Sequence, residues 1–313
     1  MHLLVTGGAG FIGANLVIRA LDQGHDVTVL DNLSSGHLIN LRSVQNDIRF
    51  IEGDVRNPAI LERVLPDIDV VYHLAASVGN QRSMENPYED ADVNLLGTIR
   101  VLEASREMKV KTVVLASSAG ILGEPSVLPV AEDHPKNPDS PYGVSKMAAE
   151  AMALVYERIF GLRTVALRYF NVYGPLQRYD AYGNVIPIFA RQILRHEPIT
   201  VFGDGEQTRD FIHVNDVAQA TLTAGIEERA HGIYHIGTGL GASINGLVDL
   251  MQDVFHSAGQ VRYLPSRSGD VRHSMAAVDR AVADLHFRVT CSLPDGLLSY
   301  RNWLLEESEP CAY

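Results

Sequence analysis

Cysteine is nearly absent: the 313 residues hold two, Cys291 and Cys311, both near the C-terminus. Neither has the spacing of a zinc site or a disulfide framework, so both read as structural or incidental. Basic charge is also short, with 26 Lys and Arg against 38 Asp and Glu. The net charge of -12 argues against a protein that grips a phosphate backbone through a broad basic field, and no nucleic-acid partner is expected. No apolar run approaches the roughly 18 residues of a membrane span, and a strand pattern begins at residue 2, leaving no room for a signal peptide. The expectation is a cytoplasmic protein with no membrane partner. Twelve histidines are scattered without HExxH or a close His/Asp cluster, so no metal is expected.

What is present suits a large buried core: 46% hydrophobic residues, 20% charged, and mean hydropathy near zero. Short β-branched runs alternate with amphipathic segments of helical length, the order of a parallel sheet covered by helices on both faces. The spacing predicts strands at His2 to Thr6, Asp26 to Leu30, Ile48 to Ile51, Val70 to Leu74, Thr112 to Ser117 and Arg163 to Tyr169. Helices are predicted at Gly10 to Gln23, Tyr88 to Met108 and Pro141 to Phe160, the last with Pro141 at its first turn and Gly161 as its stop. After Phe170 a Tyr-, Pro- and Gly-rich stretch breaks the rhythm. The expected division is residues 1–170 plus about 210–236 for the sheet domain, and about 171–209 plus 237–313 for a smaller one. Helices are expected there from Val185 to Arg195, Ile244 to Phe255 and Leu293 to Leu305.

Directly after the first strand stands Thr6-Gly7-Gly8-Ala9-Gly10-Phe11-Ile12-Gly13. Glycine permits the tight turn and lets a pyrophosphate reach backbone N–H groups, while the helix N-terminus adds partial positive charge. The pattern in this context points to a Rossmann-type doubly wound α/β sheet that binds a dinucleotide. The second strand ends in Asp31-Asn32, close to the spacing of an acid that accepts from the adenosine ribose. A carboxylate there repels a 2′-phosphate and favours NAD, although Asp31 also fits an ordinary strand-end cap. Asp54, with Val55 after it, stands at the end of the third strand, placed to reach the adenine or to serve a common turn.

Ser140-Pro141-Tyr142-Gly143-Val144-Ser145-Lys146 puts Tyr142 and Lys146 one helical turn apart on one face. A phenol titrates near 10 in water, so it acts as a base near neutral pH only if a cation stabilises the phenolate, as Lys146 can. Such a pair by itself is an ordinary surface contact. It gains meaning from Ser117-Ser118 at the end of the preceding strand, which would bring a hydroxyl beside the phenol.

With these elements in order, the chain resembles the extended short-chain dehydrogenase/reductase superfamily, and within it the NAD-dependent nucleotide-sugar epimerase/dehydratase family, whose best-known members are UDP-glucose 4-epimerases. Further motifs carry the resemblance nearly end to end: His73-Leu74-Ala75-Ala76, Asn94 in Val93-Asn94-Leu95-Leu96-Gly97-Thr98, Arg168 to Pro175, Gly203 to Asp210, and Arg267-Ser268-Gly269-Asp270. The resemblance implies Tyr142 as base and acid on the sugar O4, Lys146 as its partner and a ribose contact, and Ser118 as the hydroxyl that orients the proton. It implies NAD contacts from Gly7, Gly10, Phe11, Ile12, Gly13, Asp31, Asn32, Asp54, Val55, Leu74, Ala75, Ala76, Asn94, Ser117, Tyr142, Lys146 and Tyr169. It further implies that Asn171, Arg209 and Arg267 hold the sugar diphosphate and that Asn184, followed by Val185, caps a helix facing the same anion. Asp270 is implied at the nucleoside ribose and Ser274 beside the sugar C2 substituent. A homodimer through the helices at Tyr88 to Met108 and Pro141 to Phe160 is also implied, with Met147, Ala148, Met152 and Val155 as its apolar surface.

Two positions depart from the family pattern: Leu122 replaces an aromatic wall, and His235 replaces a common asparagine and reads as a polar group satisfied by backbone. Dehydratases of the family carry an Asp-Glu pair where this chain has Ala119-Gly120, and the related decarboxylases a glutamate at the latter place. Oxidation at C4 followed by hydride return to the opposite face is therefore the expected reaction: a UDP-hexose 4-epimerase. A small Ser274 would admit an N-acetyl group. Arg178, seven residues after Asn171, falls where some uronic-acid epimerases meet a C6 carboxylate, which makes UDP-glucuronate the runner-up; a solvent-exposed loop charge is the other reading of Arg178. A reductase, a dehydratase, a C3/C5 epimerase and a non-catalytic nucleotide sensor remain the competing classes.

Overall fold

A computed structural model of the chain describes residues 1–179, 183–266 and 271–308. Strands and helices alternate as β1 (His2–Thr6), α1 (Phe11–Asp22), β2 (Asp26–Asp31), β3 (Ile48–Glu52), α2 (Pro58–Val64), β4 (Val70–His73), α3 (Asn80–Glu85), α4 (Pro87–Ala91), α5 (Gly97–Glu107), β5 (Thr112–Ser118), α6 (Pro141–Phe160) and β6 (Arg163–Tyr169). Then come β7 (Asn171–Tyr173), α7 (Val185–Leu194), β8 (Ile199–Phe202), β9 (Thr208–Arg209), β10 (Phe211–His213), α8 (Val214–Ile226), β11 (Gly232–Ile236), β12 (Ala242–Ser243), α9 (Ile244–Phe255), β13 (Val261–Leu264), α10 (Asp279–Leu285) and α11 (Leu293–Ser308).

Seven strands form one parallel sheet in the order β3-β2-β1-β4-β5-β6-β11. Their near-continuous apolar runs follow from cover on both faces. Leu3, Val5, Val29 and Val114 pack with α1 and α8, whereas Leu4, Leu30, Val71 and Val113 pack with α2, α5 and α6. The strand order reverses between β1 and β4, whose ends at Thr6 and His73 open the crevice where such sheets bind ligands. A separate apolar cluster, including Phe189, Ile199, Val201, Leu247, Met251 and Leu297, joins α7, α9 and α11 to the β8/β13 pair. This is the smaller α/β part.

The six strands expected before residue 170 are present, as is helix α6 with the expected bounds. The helix expected from Tyr88 to Met108 is instead interrupted by a π-turn over Asp92–Leu96. Thr98 Oγ1 donates back to the Asn94 carbonyl at 2.6 Å while the Asn94 side chain is bound elsewhere. Turns of this kind accommodate one extra residue and cluster at functional sites.

Candidate active site

The glycine loop leaves β1 with Gly7 at φ 69°, and a Cβ there would stand 2.6 Å from Ala75 N. A Cβ on Gly13 would lie 2.2 Å from Gly7 O, so the loop folds back on the first turn of α1 only without side chains. Gly10 is the N-cap and provides no side-chain cap, which leaves first-turn N–H groups for an anion. Phe11 and Ile12 are half-buried against the sheet core. This cradle fits a dinucleotide pyrophosphate.

Asp31 Oδ2 accepts from Ala9 N at 2.9 Å and Oδ1 from Leu33 N at 2.8 Å, so the carboxylate shapes the loop and keeps lone pairs for ribose hydroxyls. Asp54, expected near the adenine, is engaged within the chain. Its two oxygens accept from Arg56 N, Nε and Nη2 and from Asn32 Nδ2, all at 2.8 to 3.0 Å. Hydrogen bonds from Arg56 hold it down at about 2, and an adenine amino group would have to displace Asn32. Val55 is a core residue. The loop of Leu74, Ala75 and Ala76 hangs from Thr6, whose carbonyl accepts from Leu74 N and whose Oγ1 accepts from Ala75 N. Asn94 is buried, with Oδ1 accepting from Ser77 N and Nδ2 donating to Ser77 O and Asp90. Its amide thus clamps the loop that borders the cofactor crevice.

Ser140 caps α6 through Gly143 N at 3.1 Å, and the helix carries Tyr142 and Lys146 to the end of β5. Lys146 is buried, its Nζ donating to Ala116 O at 2.7 Å. Burial pulls its ammonium down to about 8, against the nearby Asp90 charge. Burial pushes the Tyr142 phenol up to about 12, opposed by a hydrogen bond with Ser118 and reinforced by Asp90. Ser118 Oγ also accepts from Gly120 N at 3.0 Å. Ser118 and Tyr142 thus meet by a hydrogen bond, with Lys146 one helical turn further along α6. Ser117 and Tyr169 do not offer their hydroxyls to the cleft: Ser117 donates to buried Glu150 at 2.8 Å, and Tyr169 pairs with buried Thr221 at 2.8 Å. Alternation along a strand turns Ser117 to the face opposite Ser118.

On the substrate side Asn171 lies at the start of β7, half-buried, with Nδ2 near Asp210 O at 3.3 Å. Asn184 occupies the N-cap position of α7 but makes no capping bond; it donates to Val172 O, leaving the N–H groups after Val185 without a side-chain cap. The Arg209 guanidinium is part-exposed and donates to Thr208 O. Ser274 N donates to the same carbonyl at 3.2 Å. Arg267 and Asp270 lie outside the described residues. Arg178 is not a free loop charge: its Nη2 meets Glu307 at 2.7 Å, its Nε meets Asn40 at 3.3 Å, and it sits 5.6 Å from the Trp303 ring centre.

Three buried acids escaped the sequence reading. Glu150, one turn beyond Lys146, takes a bidentate pair from fully buried Arg168 and a third bond from Lys136. His235 closes that network as a neutral ring, Nδ1 donating to Val130 O and Nε2 accepting from Arg168, with burial lowering it to about 4. Asp210 accepts from Thr238 N, Gly239 N and Ala276 N and so ties together three segments. Asp90 binds Ser145 and Asn94. The i, i+4 spacing of Tyr142, Lys146 and Glu150 was the available signal for Glu150.

A family model described as the NAD dependent epimerase/dehydratase family matches residues 3–237. The chain belongs to that family. It is an NAD-dependent enzyme, and the glycine cradle and Asp31 fit the cofactor. Among solved structures, it resembles a UDP-glucose 4-epimerase from Thermotoga maritima with UDP-glucose: 36% identity, 98% of this chain and 99% of that one covered, TM-score 0.94. A UDP-N-acetylglucosamine 4-epimerase from Methanobrevibacter ruminantium M1, in complex with UDP-N-acetylmuramic acid, is 34% identical over 98% of each chain with TM-score 0.94. A UDP-glucuronic acid 4-epimerase from Bacillus cereus, with UDP-glucuronic acid and NAD, is 33% identical over 98% of this chain and 100% of that one, TM-score 0.92. No helix among the described residues is long and apolar enough to cross a membrane.

Proposed function

We propose that this enzyme is a 4-epimerase of a UDP-hexose, interconverting UDP-glucose and UDP-galactose and also their N-acetylamino counterparts through a transient 4-keto sugar. Position 120 carries the choice of epimerisation over elimination. A Cβ at Gly120 would stand 3.3 Å from Ser118 Oγ and 3.8 Å from Tyr142 Cε1, so a carboxylate side chain there would enter the reacting centre. Glycine leaves no acid or base to remove a C5 proton or to expel the C6 hydroxyl.

Gly7, Gly10, Gly13, Asp31 and Lys146 would hold NAD, which when bound supplies the acceptor and donor of the C4 hydrogen. Tyr142 removes the O4 proton and returns it in the reverse step, with Ser118 fixing the phenol by hydrogen bond. Lys146, anchored on Ala116 O, offers its remaining N–H groups and positive charge to the ribose and the phenolate. Asn171, Arg209 and the uncapped start of α7 are the groups we assign to the diphosphate.

Serine at position 274 is small, where a bulky aromatic at the same position would exclude an acetamido group. UDP-glucuronate is the second reading, on the sequence position of Arg178; a C6 carboxylate would there have to displace Glu307. Incubating the holoenzyme with UDP-glucose, UDP-galactose, UDP-GlcNAc, UDP-GalNAc and UDP-glucuronate, with NMR of the products, tests the assignment. The expected outcome is 4-epimers of the first four; a 4-keto-6-deoxy product or release of carbon dioxide overturns it. Turnover of glucuronate that Arg178→Ala alone abolishes would promote the second reading. We further propose that the enzyme is a homodimer, built on the groove between α4 and α6.

A further inference from the structure

We propose that Asp90 is a positioning residue for the Tyr142–Lys146 pair, tying the catalytic helix to the cofactor loop through Ser145 and Asn94 and, when ionised, setting a negative charge beside Lys146. Asp90 is 2% exposed although it sits on the short helix α4. Its Oδ2 accepts from Ser145 Oγ at 2.5 Å and its Oδ1 from Asn94 Nδ2 at 3.0 Å. Ser145 stands immediately before Lys146, and its Oγ lies 3.0 Å from the Tyr142 carbonyl. Asn94 grips both N and O of Ser77, just past the Leu74 to Ala76 loop. One carboxylate therefore joins the loop that borders the dinucleotide crevice to the helix turn that bears both reacting side chains.

The charge has a separate consequence. Among the described residues no cation hydrogen-bonds Asp90, so its ionised form is costly unless a nearby positive charge compensates. From α6 it is faced by Lys146 and Tyr142. The π-turn contributes Asp92, which is bound to Arg56 and Arg100; α4 contributes Glu89, bound to Arg56; α3 contributes Arg82 and Glu85. On β4, His73 faces Lys146 but is kept neutral by burial. Lys146 is thus the buried cation that answers Asp90. An anion there favours ammonium over amine and phenol over phenolate, so its removal must move both equilibria to lower pH.

The inference rests on the roles given to Tyr142 and Lys146. The test is the pH profile of kcat for the NAD-loaded enzyme, for Asp90→Asn and for Ser145→Ala. In Asp90→Asn we expect lower kcat and both limbs displaced acidward by about one pH unit. In Ser145→Ala, which loses the tether but keeps the charge, kcat falls with the limbs unmoved. An Asp90→Asn profile that superimposes on the parent after scaling overturns the inference. Should circular dichroism find that variant misfolded, Asp90→Ser carries the same expectation. Tyr142→Phe separates the two levels: if it turns over, the assigned roles fall, whereas an inactive Tyr142→Phe beside an unshifted Asp90→Asn removes this inference alone.

Discussion

Tyr142 is placed where loss of a single oxygen tests the chemistry. Tyr142→Phe keeps the ring that packs beside Ser118 and Gly120, so the fold and bound NAD should persist. Turnover should drop by about 10²–10⁴-fold, the usual worth of a general acid/base group. Steady-state rates with circular dichroism check this, and a loss under tenfold would rule the phenol out. The pair Tyr142 and Lys146 was legible because its meaning is local: four residues on one helix face. Arg178 was not, since its partner Glu307 lies 129 positions away on α11, as does Trp303, and its other neighbour, Asn40, comes from a different part of the chain. The bonds of Asp54 are local by contrast, because their donor, Arg56, is only two residues on.

Element boundaries follow the same division. Helix α6 was readable at both ends because Ser140, Pro141 and Gly161 mark them with local chemistry, the last at φ 70°. The π-turn at Asp92–Leu96 had no such mark; it depends on bonds from Asn94 to Ser77, which the chain brings in from another loop. Ser140 does more than cap, since its Oγ also donates to Asn80 Oδ1 at 3.0 Å and so fastens α3 to the start of α6. Ser140→Ala should therefore cost about 1 kcal/mol, read as a Tm lower by about 2 °C. An unchanged Tm would mean that Pro141 and the sheet contacts alone hold this end of the helix.

At the scale of the whole molecule, the sheet uses one face of α6 and leaves another open. Met147 and Met152, expected on a dimer surface, are half-buried, packing in part against the cluster around Ile121 and the core beneath the sheet. The open strip is lined by Pro87, Ala91, Leu95, Val144 and Ala148, with Asp90 and Ser145 at its floor. Val144 within it is 49% exposed and Tyr88 beside it 91%. A two-fold axis would lay the strip on its own copy, burying apolar side chains against identical ones. Light scattering at micromolar concentration should then give twice the 34.3 kDa chain mass. Val144→Glu should shift the mass to one chain, because two carboxylates would meet across the axis in a desolvated contact. A monomeric parent would leave the strip as ordinary surface. A dimer indifferent to the Val144 substitution would move the interface to another face. Since Asp90 is already only 2% exposed in the single chain, dissociation by Val144→Glu should leave its carboxylate dry, so the limbs of the monomer's pH profile should lie where the dimer's do.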